Sequence, residues 1–183
     1  MIFRGTQLAG VHVVFPECDD DDERGSFSRT FCSDAFRAVG ADPNVAQCSI
    51  SKNRQTGTLR GLHLQSHPHG ETKLVRCITG EVFDVAADLR ADSPTFGQHH
   101  AEKLSAANGM ALLIPPGVAH GFMTLVDDTT LWYQMSVPYN ADVATGVRWD
   151  DDDLGILWPG TESLKISERD RDLPGLAEWT RAQ

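Results

Sequence analysis

Positive charge is scarce in this chain. Its 183 residues carry 16 Lys and Arg against 26 Asp and Glu, a net charge of −10. That balance argues against a general nucleic-acid binder, which needs a basic face. It leaves room for an anionic small molecule, because a few Arg and Lys can serve one pocket. Cysteine is sparse too: four residues, at 18, 32, 48 and 77, with no C-x-x-C pair. A zinc knuckle or a thioredoxin-type site is therefore not expected. Reduced, partly buried thiols in a cytoplasmic protein are the simpler expectation. No run approaches the ~18–20 apolar residues that span a bilayer. The opening M-I-F-R-G-T-Q-L has no apolar stretch of signal-peptide type. No linker or long repeat divides the chain, and its length suits one domain with a real core.

What is present is regular punctuation. Strand-like runs lie at 11–15, 24–31, 45–51, 57–65, 73–79, 81–88, 98–104, 110–114, 120–126, 129–137 and 145–149. Turn signals separate the later ones: H-P-H-G, T-G, D-S-P, N-G, P-P-G and D-D. Many short strands at this spacing predict a sandwich or barrel. Ser33–Val39 has a capping residue and the apolar spacing of a short helix, stopped by Gly40. The acidic run Asp19–Glu23 reads as a solvated loop. Gly155–Trp158 reads as an apolar segment laid on the barrel, and 167–179 as a loop with a short helix.

Basic and titratable groups gather at strand ends between Gly57 and Phe122. Arg60 and His63 lie in G-T-L-R-G-L-H-L-Q (57–65), Lys73 opens K-L-V-R-C-I-T-G-E-V-F-D-V (73–85), and His120 follows the turn of I-P-P-G-V-A-H-G-F (114–122). The mouth of a barrel is where a small-molecule site is expected. The stretch from Gly109 through Pro115, Gly117 and His120 resembles the second cupin motif, with Thr124 in its Asn place. Cupins are jelly rolls, and many hold a divalent ion with three histidines and a glutamate. His67, His69 and Glu71 raise that alternative here. Glu71 comes too early for the cupin spacing, and the segment is a Pro- and Gly-containing turn, so His67 and His69 are read as exposed loop residues and no metal is assigned. His99 and His100 are adjacent, so a strand sends them to opposite faces.

Over nearly its whole length the chain resembles the dTDP-4-dehydrorhamnose 3,5-epimerase family. The pieces, in order, are D-E-R-G (22–25), L-R-G-L-H-L-Q (59–65), K-L-V-R-C-I-T-G-E-V-F-D-V (73–85), D-S-P-T-F-G-Q (92–98), L-S-A-A-N (104–108), I-P-P-G-V-A-H-G-F (114–122), W-D-D (149–151), L-G-I-L-W-P (154–159) and I-S-E-R-D (166–170). The resemblance implies a mainly β cupin jelly roll (a double-stranded β-helix) with short flanking helices. It implies one domain, with N-terminal strands over about 1–50 exchanged in a homodimer, a core over about 50–150 and a tail over 151–183. It implies a nucleotide-sugar substrate, no cofactor, no nucleic acid and no membrane.

The chemistry can be argued from the substrate class. A 4-keto sugar has acidic C–H bonds at C3 and C5. Epimerisation needs a base on one face, an acid on the other, and a cation or donor near O4 to hold the enolate. Histidine titrates in the right range for the base, and a carboxylate behind it would fix its tautomer. By resemblance, His63 is the base, Asp170 its carboxylate, Tyr133 the acid, and Lys73 the cation near O4. His120 and Arg169 resemble substrate-binding residues, and Arg60 a phosphate contact, which its planar fork suits. Arg24 and Gln47 match nucleotide-binding positions, and Phe27 a residue that stacks on the base; some of this N-terminal set would serve the neighbouring subunit.

The resemblance departs from the family's binding residues at Arg29, Cys48, Ser49 and Ala144. Such changes move specificity while chemistry stays. Three readings follow: a dTDP-4-dehydro-6-deoxyglucose 3,5-epimerase; an epimerase acting at one carbon or on another nucleoside-diphosphate 4-keto sugar; and a non-catalytic cupin that binds a sugar nucleotide. The retained set His63, Lys73, Tyr133 and Asp170 favours the enzymes, since a pure binder needs no such set.

Overall fold

A computed structural model of the protein describes residues 1–182, by backbone alone at 19–21 and 163. Thirteen strands are present among these: β1 Ile2–Gly5, β2 His12–Phe15, β3 Glu17–Asp22, β4 Gly25–Arg29, β5 Gln47–Asn53, β6 Leu59–Gln65, β7 Lys73–Thr79, β8 Glu81–Asp88, β9 His99–Ser105, β10 Ala111–Ile114, β11 Val118–Thr124, β12 Thr129–Met135 and β13 Ala144–Gly146. Three short α-helices flank them: α1 Ser33–Ala38, α2 Glu168–Arg171 and α3 Leu176–Arg181. One sheet has the order β1-β2-β10-β7-β12-β5 and a second β13-β6-β11-β8-β9, while β3 and β4 form a separate hairpin. The expected mainly β cupin jelly roll with short flanking helices is the fold observed. No helix among the described residues is long and apolar enough to cross a membrane.

The two-residue period of a strand sorts this chain into three apolar layers. Between the sheets, Val75, Leu112 and Leu131 from the first meet Val82, Leu104, Val118 and Phe122 from the second. Their strand neighbours point outward. Leu74 and Leu113 pack under Phe36 of α1, and Leu62, Val85 and Ala87 pack under Leu154, Leu176 and Trp179 of the C-terminal segment. Both outer faces are thus partly covered, so these strands read as near-continuous apolar runs.

The sequence expectations hold with few corrections. Strands at 73–79 and 81–88 have the expected bounds, and most others shift by one or two residues. The acidic run expected as a loop instead supplies most of β3, which pairs with β4. Asp is a poor strand former, and this hairpin belongs to neither large sheet. Strand β1 at the start of the chain was not expected. The tail carries two helices rather than one, and of the 155–158 segment Ile156 and Trp158 pack on the barrel while Leu157 is exposed.

Asp88, fully buried at the end of β8, ties down the loop that follows. Its carboxylate accepts from Arg90 Nε and Nη2 at 2.8 and 2.7 Å, Ser93 Oγ at 2.5 Å and Thr95 Oγ1 at 2.6 Å. Burial alone would push this carboxyl up. Arg90, Ser93 and Thr95 outweigh it and hold the value at about 2, against an ordinary 3.8. A depressed carboxyl adds stability above its unfolded value and loses it as pH falls toward its folded one. Asp88→Asn is expected to lower unfolding free energy by roughly 2 kcal/mol at pH 7. In urea titrations the gap from the parent should close as pH falls from about 4 to about 2.

Candidate active site

The inward positions change character toward one end of the sandwich. Along β6 the apolar Leu62 and Leu64 face outward, so His63 faces the other sheet. Along β11 the inward series is Val118, His120, Phe122. His63 and His120 are Cα partners across β6 and β11. From the first sheet, β7 sends Lys73 inward in line with Val75, and β12 sends Tyr133 in line with Leu131. Edge strand β5 contributes Gln47, Ser49 and Ser51 at every second position. These groups line one cavity of about 600 Å³, which Arg60, Arg169 and Asp170 also reach.

His63 Nε2 lies 2.8 Å from Asp170 Oδ1. The imidazole is 38% exposed and the carboxylate 7%, so the ring meets solvent while its partner does not. Asp170 is fixed from three sides. Ser167 caps α2 and accepts from the Asp170 amide at 3.1 Å. The Gly61 amide donates to Asp170 Oδ2 at 3.2 Å. Burial would raise this carboxyl, but the His63 hydrogen bond and charge, with Gly61 and Ser167, hold it below the ordinary carboxylate range. A carboxylate only accepts, so His63 Nε2 carries a proton in this contact, and in the neutral ring the lone pair is then on Nδ1. Among the described residues no group bonds Nδ1.

His120 is buried and sits 3.0–3.1 Å from both oxygens of Asp84. Asp84 is wholly buried, and burial pushes its carboxyl up against the opposing pull of His120. Tyr133 meets the His120 ring edge-on, with centroids 5.8 Å apart. Burial first, and then the charge of Asp84, pushes the Tyr133 phenol well above its ordinary value. The phenol therefore stays protonated at neutral pH and is a proton donor in kind. Lys73 Nζ lies 2.8 Å from Glu71 Oε1 and 3.3 Å from the His63 carbonyl. Arg60 is aimed by Asn53, whose Oδ1 accepts from Nε at 2.9 Å.

Eight of the ten residues singled out in the sequence thus border one cavity: His63, Tyr133, Asp170, Lys73, Gln47, Arg60, His120 and Arg169. Arg24 and Phe27 do not line it; both sit on the exposed β3–β4 hairpin, with Arg24 paired to Asp22 and Phe27 69% exposed. Of the four departures from the family pattern, Ala144 and Ser49 line the cavity, Cys48 falls on the opposite face of β5, and Arg29 lies on the hairpin. Glu71, Gln65, Ser51 and Asp84 were missed as site residues. Three were legible in the alternation, at two-residue steps from His63, Gln47 and Val82. Glu71 lies just outside a strand, where that signal ends. His67 and His69 are exposed, and among the described residues no three His, Cys, Asp or Glu cluster as a metal site would need.

The chain is similar to known proteins over nearly its whole length. The family model described as dTDP-4-dehydrorhamnose 3,5-epimerase matches residues 5–178. A dTDP-4-dehydrorhamnose 3,5-epimerase of Sinorhizobium fredii is 43% identical over 97% of this chain and 91% of its own. The crystal structure of a dTDP-4-dehydrorhamnose 3,5-epimerase from Elizabethkingia anophelis aligns with a TM-score of 0.92 at 36% identity, covering 97% of each chain. A 3′-monoepimerase from Streptomyces bikiniensis, in complex with dTDP-quinovose, aligns with a TM-score of 0.89 at 33% identity, over 97% of this chain and 89% of that one.

Gly61 has a φ of +131°, and a Cβ there would stand 2.5 Å from Gly121 Cα. Only glycines let β6 and β11 approach this closely beside His63. Gly61→Ala should destabilise the fold by about 2 kcal/mol or more in chemical denaturation. Asp170 should be drawn away from His63, so the His63 ring resonances in NMR should also shift.

Proposed function

The chain belongs to the dTDP-4-dehydrorhamnose 3,5-epimerase family, and we propose that it converts dTDP-4-dehydro-6-deoxy-D-glucose to dTDP-4-dehydro-L-rhamnose by inverting C3 and C5. The observation that carries this reading is the pairing of two opposed walls. One sheet holds His63 backed by Asp170, and the other holds a protonated phenol and an ammonium.

In the proposed reaction His63 Nδ1 takes the proton from the carbon next to the keto group. The C–H electron pair becomes an enolate, and its charge falls on O4. Lys73 stabilises that oxygen as a point charge. Asp170 holds the imidazolium that forms. The Tyr133 hydroxyl gives its proton to the same carbon from the other side, which inverts it. Water then takes the proton from His63 and returns one to Tyr133. A second round at the other carbon completes the product. The pyrophosphate lies against Arg60 and Arg169, and the base beside Gln47. No cofactor takes part in any of these steps.

The unit that acts is a homodimer in this reading. Arg24 and Phe27 do not line their own cavity, and the β3–β4 hairpin that carries them pairs with neither large sheet. In the dimer it covers the neighbour's cavity, where Phe27 stacks on the base. The chain is one cupin-type domain in the cytoplasm, where cysteines stay reduced.

A second reading is inversion at one carbon only. Its support is the likeness to a 3′-monoepimerase, together with Ser49 and Ala144 in the cavity wall. Proton exchange in D₂O decides between them. With dTDP-4-keto-6-deoxyglucose and a trace of the downstream reductase, deuterium at both C3 and C5 and an L-rhamno product are expected. Deuterium at one carbon would establish the single-site enzyme, and no exchange would remove both. His63→Ala should leave folding intact and lower turnover by about 10²–10⁴-fold. Tyr133→Phe should slow product formation more than exchange, since His63 still forms the enolate. Equal loss of both would take the acid role from Tyr133.

A further inference from the structure

Among the described residues two carboxylates line the cavity, Asp170 and Glu71. The reaction as written gives Glu71 nothing to do, yet both of its oxygens are engaged. Oε1 lies 2.8 Å from Lys73 Nζ, and Oε2 accepts from Gln65 Nε2 at 3.3 Å. Only 9% of the Glu71 side chain and 12% of the Lys73 side chain is exposed. Gln65 is itself buried: its two Nε2 protons are shared among Glu71 and the carbonyls of His69 and Pro138, and its Oε1 accepts from the Asn140 amide. A carboxylate fixed at both ends on the cavity wall is a rigid anchor.

The donors of Lys73 show what is anchored. An ammonium has three N–H groups. One points to Glu71 and another to the His63 carbonyl, at 3.3 Å. The third is the only one left for a ligand, and the first two fix its direction. Resting on the reading above, we infer that Glu71 is a positioning residue. It holds the Lys73 ammonium in place and aims its free N–H at the oxygen where the enolate charge gathers. A buried ammonium without a fixed anion would be costly to keep charged. A lysine stem free to rotate would spread its single donor over many directions, and small misplacements at a reacting centre are expensive.

The test combines a signature that needs no substrate with a kinetic one that does. Glu71→Gln keeps the shape and the hydrogen bond to Gln65 but removes the charge. In the parent, Lys73 should show a protected ammonium resonance in ¹⁵N-lysine NMR at neutral pH and low temperature, assigned by its loss in Lys73→Ala. Glu71→Gln should broaden it away while the protein stays folded by circular dichroism. In D₂O exchange, Glu71→Gln should lower kcat by about 10–100-fold and move KM by no more than about twofold, and Glu71→Asp should recover part of the loss. The double variant Glu71→Gln/Lys73→Ala should cost no more than Lys73→Ala alone, because the two act as one unit. Parent-like kcat in Glu71→Gln, or losses that multiply in the double variant, would overturn the role. A parent that exchanges no proton on any nucleoside-diphosphate 4-keto sugar would instead sink the epimerase reading, and the ammonium resonance would still report whether the pair exists.

Discussion

The 2.8 Å contact between His63 and Asp170 joins residues 107 positions apart. For it to form, the C-terminal segment must return across the second sheet and set α2 against β6. That return depends on the apolar cover that Leu154, Leu176 and Trp179 give the sheet's outer face. It also depends on Gly61, whose amide reaches Asp170 and whose missing side chain lets β6 lie close to β11. The same approach places His120 across from His63. Packing on the outside of the sandwich therefore decides the geometry of the His63–Asp170 pair on its inside.

Burial divides the labour among the titratable groups. Asp170 is buried but richly donated to, so it stays an anion and can hold a cation beside it. Tyr133 is half-buried, and burial with the Asp84 charge outweighs the opposing pull of Arg60, so it keeps its proton. One environment thus favours charge and the other opposes it, and an acid and a base can coexist in one cavity near neutral pH. Asp84 and His120 sit deeper and bond each other, which leaves them less able to exchange protons with solvent. The Asp84 charge also reaches Tyr133, whose phenol it helps push up.

Much of this was legible in the sequence, for a physical reason. Strands β7 and β8 are long, apolar and bounded by glycine or polar turns, so their limits read directly. Inward placement of His63, Lys73, His120 and Tyr133 follows from counting by twos from apolar neighbours. Asp170 could not be found that way. It lies on a four-residue helix in a charged segment, and only the family pattern marks it. Glu71 was set in a turn and weighed as a metal ligand beside His67 and His69. The chain bends there, so His67 and His69 face solvent while Glu71 faces Lys73. Local spacing carries no information about such a bend. β3 was missed because aspartates suppress every strand signal, although the turn to β4 is short enough to pair them anyway.

Charge placement completes the argument. A chain of net charge −10 should repel a nucleoside diphosphate at long range. Yet the cavity gathers Arg60, Lys73 and Arg169 from β6, β7 and α2. Its two carboxylates are each committed, Asp170 to His63 and Glu71 to Lys73. The arginines thus keep their charge for the ligand, while Lys73 is partly neutralised by its own anion. In the proposed function, attraction to pyrophosphate then falls to the arginines, and lysine acts by direction at short range. Clefts concentrate a local field regardless of net charge. An acidic chain can in this way gather local positive charge in one cavity while committing one cation, Lys73, to an anion of its own.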